Sequence, residues 1–223
     1  MEPIRDILNR LDFQKNIPHL LTTPTSTSED EPDKLTPEQQ KEAIRLNLWL
    51  SSADHTFDSF KVVTGTKQSY KAVKDLVEGK ATYQMVLIYG SVGNGKTYLC
   101  ESASLCLYQR GIICRVLTWP EVIRALKRCM DPSSEKSVQE LVDHYCNVKH
   151  LIVDDIGAGM SGSDFGMKEL EEIVVYRYHN HLFTLMTTNK DISGLPERVV
   201  SRFNDKEFAR IVLNEGSDYR LKK

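Results

Sequence analysis

Gly90-Ser91-Val92-Gly93-Asn94-Gly95-Lys96-Thr97 is the stretch that decides the fold. It matches G-x-x-x-x-G-K-[ST], with an additional glycine at 93. An apolar run, residues 84–89 (QMVLIY), leads into it, and a helical pattern near 95–109 leads out. Small residues let backbone N–H groups curl around an anion, and a helix N-terminus adds partial positive charge. Lys96 then has the reach for β- and γ-phosphates, and the Thr97 hydroxyl is a ligand for Mg²⁺. The pattern demands a strand before it and a helix after it, and both are present here.

Downstream, short apolar runs alternate with helical stretches. Residues 112–118 (IICRVLT), 150–155 (HLIVDD), 181–188 (HLFTLMTT) and 208–213 (FARIVL) read as buried strands beside 84–89. Helical patterns lie near 95–109, 120–129, 137–147, 165–178 and 195–203. Such alternation predicts an α/β fold, a five-stranded, mainly parallel sheet between helices. In open parallel sheets ligands sit at the carboxyl ends of strands, so the polar strand ends are the candidate site.

The third run ends in Asp154-Asp155. Asp154 is the candidate Mg²⁺ ligand, through water, and Asp155 the candidate base that polarises an attacking water. The fourth run ends in Thr187-Thr188-Asn189, where the Asn189 amide is placed to meet a γ-phosphate or orient the water. Asn189-Lys190-Asp191 resembles the guanine-reading N-K-x-D motif, but the aspartate comes one residue early, which favours ATP over GTP. Arg198 and Arg202 stand four apart on one helical face, and Arg220 follows. Arginine suits bidentate phosphate contacts and stabilises charge in phosphoryl transfer. Surface pairing with Glu197, Asp205 or Glu207 is the plainer role for the first two. Arg124, Lys127 and Arg128 make a basic stripe at i, i+3, i+4, either a surface for single-stranded DNA phosphates or a solvated helix face.

The flanks and composition narrow the class. Residues 3–13 carry Ile4, Ile7, Leu8 and Leu11 at helical spacing, so residues 1–21 read as an amphipathic helix able to dock on a partner or on its own domain. Residues 22–35 are rich in Thr, Ser, Pro and acids and read as a flexible linker. Thr36-Pro37-Glu38-Gln39 caps a connecting helix, 36–52. Residues 53–223 form the expected ATPase domain. The 223 residues carry 29 Lys+Arg against 31 Asp+Glu, a net charge of -2 that excludes a globally basic nucleic-acid coat. Mean hydropathy is -0.37, and no apolar run is long enough to span a bilayer. The N-terminus lacks a basic-then-apolar pattern, so no signal peptide is expected. Five cysteines without a C-x-x-C pair suggest reduced core thiols in a cytoplasmic protein.

These pieces, in this order, resemble the AAA+ ATPases of the DnaC/IstB type. The resemblance rests on GSVGNGKT (90–97), LIVDDIG (151–157), TTNK (187–190), RVVSR (198–202) and DYR (218–220), with Thr56-Phe57-Asp58-Ser59-Phe60 like that family's boundary segment. It implies a P-loop NTPase of the ASCE class, ATP with Mg²⁺ as cofactors, and a homo-oligomer in which an arginine acts on a neighbour's nucleotide. By that resemblance Asn189 matches sensor I, Arg202 the arginine finger with Arg198 beside it, and Arg220 sensor II. No C-terminal helical lid is expected after Arg220. Phe57 and Phe60 are candidates for an adenine pocket or for plain core packing. DnaC-type members load a DnaB-type replicative helicase on single-stranded DNA, and IstB-type members assist a transposase. The compact stretch from Asn189 to Arg202 favours the loader. A small-molecule kinase is disfavoured, because no lid or acceptor pocket is recognisable beside Asp154-Asp155 and RVVSR.

Overall fold

The computed structural model describes residues 54–112, 114–158 and 164–219. The helices expected at 1–21 and 36–52, the linker 22–35 and Arg220 lie outside the described residues.

Five strands form one sheet in the order β2-β3-β4-β1-β5. They are β1 (Met85–Tyr89), β2 (Arg115–Thr118), β3 (His150–Asp154), β4 (Phe183–Thr188) and β5 (Ala209–Leu213). Every pairing is parallel, with Tyr89 opposite both Thr188 of β4 and Leu213 of β5. The chain leaves interior strand β1 for edge strand β2, returns through β3 and central β4, and places β5 on the far side of β1. The carboxyl ends of β1, β3 and β4 therefore open side by side.

Both faces of the sheet are covered, and period-two alternation decides what goes where. Met85, Leu87, Leu151, Val153 and Met186 face one core, packed by helices α3 (Trp119–Arg128), α4 (Val138–Asn147), α5 (Asp164–His179) and α6 (Glu197–Phe203). Val86, Ile88, Ile152, Phe183 and Leu185 face the other, packed by α1 (Lys67–Glu78) and α2 (Lys96–Gln109). Local signals set the ends of the helices. Ser137 and Glu140 form a reciprocal cap on α4, Ser137 N donating to Glu140 Oε2 at 2.7 Å and Glu140 N to Ser137 Oγ at 3.1 Å. Thr118 N likewise donates to Glu121 Oε2 at 2.8 Å at the start of α3.

Three expectations are corrected in detail. Helix α1 was not foreseen between the boundary segment and β1. β4 starts at Phe183 rather than 181, because His181 takes a left-handed backbone (φ 51°) that ends α5. β2 starts at Arg115 rather than 112, after a turn at Gly111 (φ 72°). All five cysteines are free thiols, Cys100 and Cys146 buried.

One buried charge ties the first core together. Arg177, in the last turn of α5, is fully buried. Its guanidinium donates to the carbonyls of Tyr145 (2.9 Å), Cys146 (3.1 Å) and Val148 (2.7 Å), which close α4. It also donates to Phe183 O (2.6 Å) and Thr184 Oγ1 (2.9 Å) in β4. Burial pulls its pKa down to about 10, so it stays charged at neutral pH. Cationic donors at the carboxyl end of a helix meet its unpaired carbonyls and its negative dipole end.

Candidate nucleotide site

The site grows from the turn after β1. Gly90, Gly93 and Gly95 have φ of 143°, 78° and 94°, conformations that L side chains rarely adopt. At Gly90 space forbids a side chain as well, since a Cβ would lie 2.3 Å from the backbone Asn214 O; at Gly93 a Cβ would meet the Asp218 carboxylate, a side-chain end that can move aside. Glycine is therefore favoured at all three positions by backbone conformation, and required at Gly90 also by the close approach of the backbone after β5. The curl hands directly into α2, whose first residue is Lys96. The Lys96 ammonium is buried against the loop, donating to Gly90 O (2.8 Å), Ser91 O (2.6 Å) and Asn94 Oδ1 (3.0 Å). Ser91 and Val92 form the exposed tip.

The acidic end of β3 meets this turn. Thr97 Oγ1 donates to Asp154 Oδ2 at 2.7 Å. Thr187, in β4, donates to the other oxygen, Asp154 Oδ1. Asp154 is thus held by hydroxyls from two elements, with the Cys100 thiol 3.9 Å away. A hydroxyl and a carboxylate in contact, both hard oxygen ligands, fit a Mg²⁺ ion that keeps several waters. Thr187 was not singled out from sequence, although it stands in the Thr-Thr-Asn strand end.

Asp155 lies just past β3 with a left-handed backbone (φ 58°). That turn is fixed by Asp155 N donating to Thr187 Oγ1 (3.0 Å) and Ile156 N to Thr187 O (2.7 Å). The Asn189 amide donates to Asp155 Oδ1 at 2.5 Å. Burial first, then the neighbouring Asp154 charge, raises the Asp155 pKa above the usual carboxylate value. The residues expected from three separate strand ends, Lys96 and Thr97, Asp154 and Asp155, and Asn189, therefore converge.

Arg198 and Arg202 contact other partners. Arg198 is paired with Glu171 of α5 at 2.8 Å, a different partner from those the sequence suggested. Arg202 lies in the last turn of α6, its guanidinium 5.0 Å over the Tyr178 ring. Helix α6 descends from the carboxyl end of β4 toward the amino end of β5, so Arg202 sits toward the end of the sheet opposite the phosphate loop. Phe57 and Phe60 are buried in the second core, Phe60 stacked with Tyr70 at 5.7 Å. A Cβ on Gly95 would be 3.0 Å from Phe60, so that ring braces the loop from behind. Arg124, Lys127 and Arg128 line a shallow, open surface depression with Asp131, Ser133 and Ser134. Among the described residues no group of three or more His, Cys, Asp or Glu is arranged to hold a metal. Among the same residues no helix is long and apolar enough to cross a membrane.

Fold and site together define a P-loop ATPase domain of the AAA+ type. The family model of the bacterial DnaA ATPase domain matches residues 51–206, and the chain belongs to that family. The chromosomal replication initiator DnaA of Aquifex aeolicus is 26% identical over 192 residues, 82% of this chain and 46% of that protein. The AMPPCP-bound structure of the same initiator superposes with a TM-score of 0.61 at 25% identity, covering 75% of this chain and 52% of that one. A further structure shows the replication initiator DnaA with AMPPCP and single-stranded DNA, at the same TM-score of 0.61 and 25% identity. A candidate primosome component from Streptococcus pyogenes serotype M3 is 26% identical with a TM-score of 0.56, covering 74% of this chain and 88% of that one. The DnaC helicase loader shares the fold, with a TM-score of 0.60 at 22% identity. The chain spans a third to a half of the curated relatives it matches.

Proposed function

We propose that the protein is an ATP- and Mg²⁺-dependent replication factor that binds a DnaB-type helicase and delivers it to single-stranded DNA. The observation that carries the nucleotide chemistry is the 2.7 Å contact between Thr97 and Asp154 beneath the glycine loop. In this reading residues 90–97 cradle the triphosphate, and Lys96 neutralises its β- and γ-oxygens. Thr97 and Asp154 hold the cation, which would screen charge on the phosphates. Asp155 and Asn189 orient the attacking water. Arg202 completes the site of a neighbouring copy in a homo-oligomer, with Arg198 beside it, and Arg220 contributes in the sensor II role.

The loader reading is supported by the similarity to the Streptococcus primosome component, matched over most of its length. Co-purification with a DnaB-type helicase from the same cell or phage tests it. Full chain is expected to retain the helicase, and a chain lacking residues 1–50 is expected to lose it. Absence of any complex with full chain, with or without ATP, would contradict the loader role. The DnaA relatives favour a second reading, an initiator-like ATP-dependent assembly on DNA. That reading expects cooperative DNA binding without a helicase.

For single-stranded DNA, Arg124, Lys127 and Arg128 are the proposed contacts. Replacing all three with Ala is expected to weaken binding of an oligothymidine and to reduce the salt slope by about 2, as lost phosphate contacts require. Fluorescence anisotropy across a salt series measures both. An unchanged slope would show that the stripe is only a solvated face.

A further inference from the structure

Asn214 belongs to no nucleotide-binding motif, yet it is wholly buried against the phosphate loop. Sheet register explains how it gets there. Tyr89 of β1 lies opposite Leu213 of β5, so the residue after β5 comes beside Gly90, the first residue of the loop. Asn214 N donates to Tyr89 O at 2.8 Å and extends the ladder by one step. Beyond the strands the side chain takes over. Asn214 Nδ2 donates to the carbonyl of Asn94 at 2.8 Å, and Asn94 Nδ2 donates back to the carbonyl of Asn214 at 2.5 Å. Ser69, in α1, donates to Asn214 Oδ1 and fixes which way the amide points. Lys96 Nζ donates to Asn94 Oδ1 at 3.0 Å. Ser69, Asn94 and Asn214 are all fully buried, so water cannot replace a lost partner. The segment that follows first pairs with the turn before α1, Glu215 N donating to Gly65 O (2.9 Å), and then returns to the loop, Tyr219 N donating to Gly93 O (3.0 Å).

Resting on the reading of residues 90–97 as the ATP cradle, we propose that Asn214 is a positioning residue for the phosphate loop. It clamps Asn94 through reciprocal hydrogen bonds from side-chain amide to backbone carbonyl, fixes the curl of the loop, and so orients the Lys96 ammonium toward the phosphates. Ser69 acts one step behind it. The same clamp joins the loop to the strap 215–219, which leads to Arg220.

Asn214→Asp tests this with almost no change in volume. It sets an oxygen where Nδ2 donated, against the Asn94 carbonyl. Calorimetric titration with an ATP analogue and Mg²⁺ is run on the wild-type chain, Lys96→Ala and Asn214→Asp. The expected result is affinity about tenfold weaker for Asn214→Asp, the loss of one buried hydrogen bond. Hydrogen exchange of a peptide spanning 90–97 is expected to quicken, while peptides from β4 keep wild-type protection. Wild-type affinity in Asn214→Asp, with Lys96→Ala still impaired, overturns the positioning role alone. Uniformly faster exchange across the sheet overturns it too, since that marks a general loss of stability. A wild-type chain that binds no analogue overturns the cradle reading and this proposal with it. Should Asn214→Asp fail to fold, Ser69→Ala decides: about threefold weaker binding supports the clamp, and unchanged binding rejects it.

Discussion

Arg202→Ala is expected to leave affinity for an ATP analogue unchanged and to lower turnover of the assembled protein by about 10³-fold or more. Geometry separates the two effects. Strands β1, β3 and β4 present Lys96, Asp154 and Asn189 at their carboxyl ends, whereas Arg202 ends a helix that has descended toward the amino end of β5. Helix α6 has seven residues and a rise of about 10 Å, which carries Arg202 away from its own phosphate loop. A guanidinium there serves a nucleotide only if another protomer brings one to it. Among the described residues its Nε is buried without a hydrogen-bond partner, and its face rests on Tyr178. The Tyr178 hydroxyl donates to Asp205 at 2.5 Å, which fixes that platform. Steady-state hydrolysis at concentrations where sedimentation shows the oligomer is the measurement. Mixing Arg202→Ala with Lys96→Ala is expected to restore part of the activity, because each supplies what the other lacks. Undiminished turnover of Arg202→Ala in a verified oligomer would reject a role in trans.

The second large effect is on stability. Arg177→Met is expected to cost on the order of 4 kcal/mol and lower the melting temperature by about 10 °C. The guanidinium serves five acceptors at the junction of α4, α5 and β4. Methionine fills much of the volume but leaves those oxygens buried without donors. Arg177→Lys is expected to recover only part of the loss, because a point ammonium with three donors cannot span a fork of five acceptors. Thermal unfolding followed by circular dichroism measures this. A melting point within 2 °C of wild type for Arg177→Met, on the order of 1 kcal/mol, would mean that water or backbone adjustment satisfies the carbonyls.

Much of the fold was readable because its signals are local. Residues 84–89 and 150–155 are apolar runs bounded by glycine or acid, and the glycine spacing at 90–95 has no other backbone use. The convergence of Asp154 with Thr97 depends on the strand order β2-β3-β4-β1-β5, which the alternation of strands and helices leaves open. Helix α1 was passed over because Lys, Gln and Asp outnumber its apolar stripe, although Tyr70, Val73, Leu76 and Val77 keep helical spacing. By sequence alone Arg177 is indistinguishable from any other charge near a helix end. Its burial depends on where α4 stops and β4 starts, and nothing near it in the chain reports that. Asn214 was invisible for the same reason, since its partners Ser69 and Asn94 are distant in sequence. Thr187 illustrates a middle case: the polar strand end was noted, but its bridging of Asp154 and the Asp155 turn is a property of two adjacent strands. Arg198 shows the reverse: its motif was legible in sequence, but its partner within the chain, Glu171, was not.

The central claim is that the turn between β1 and α2 holds the phosphates of ATP. Titration of the full chain with a non-hydrolysable ATP analogue, in Mg²⁺, against the Lys96→Ala variant tests it most directly. Saturable binding of one nucleotide per chain, weakened at least about tenfold by loss of the charge-assisted Lys96 contacts, is the predicted result. No binding by the wild-type chain, or equal affinity for the two proteins, would contradict it.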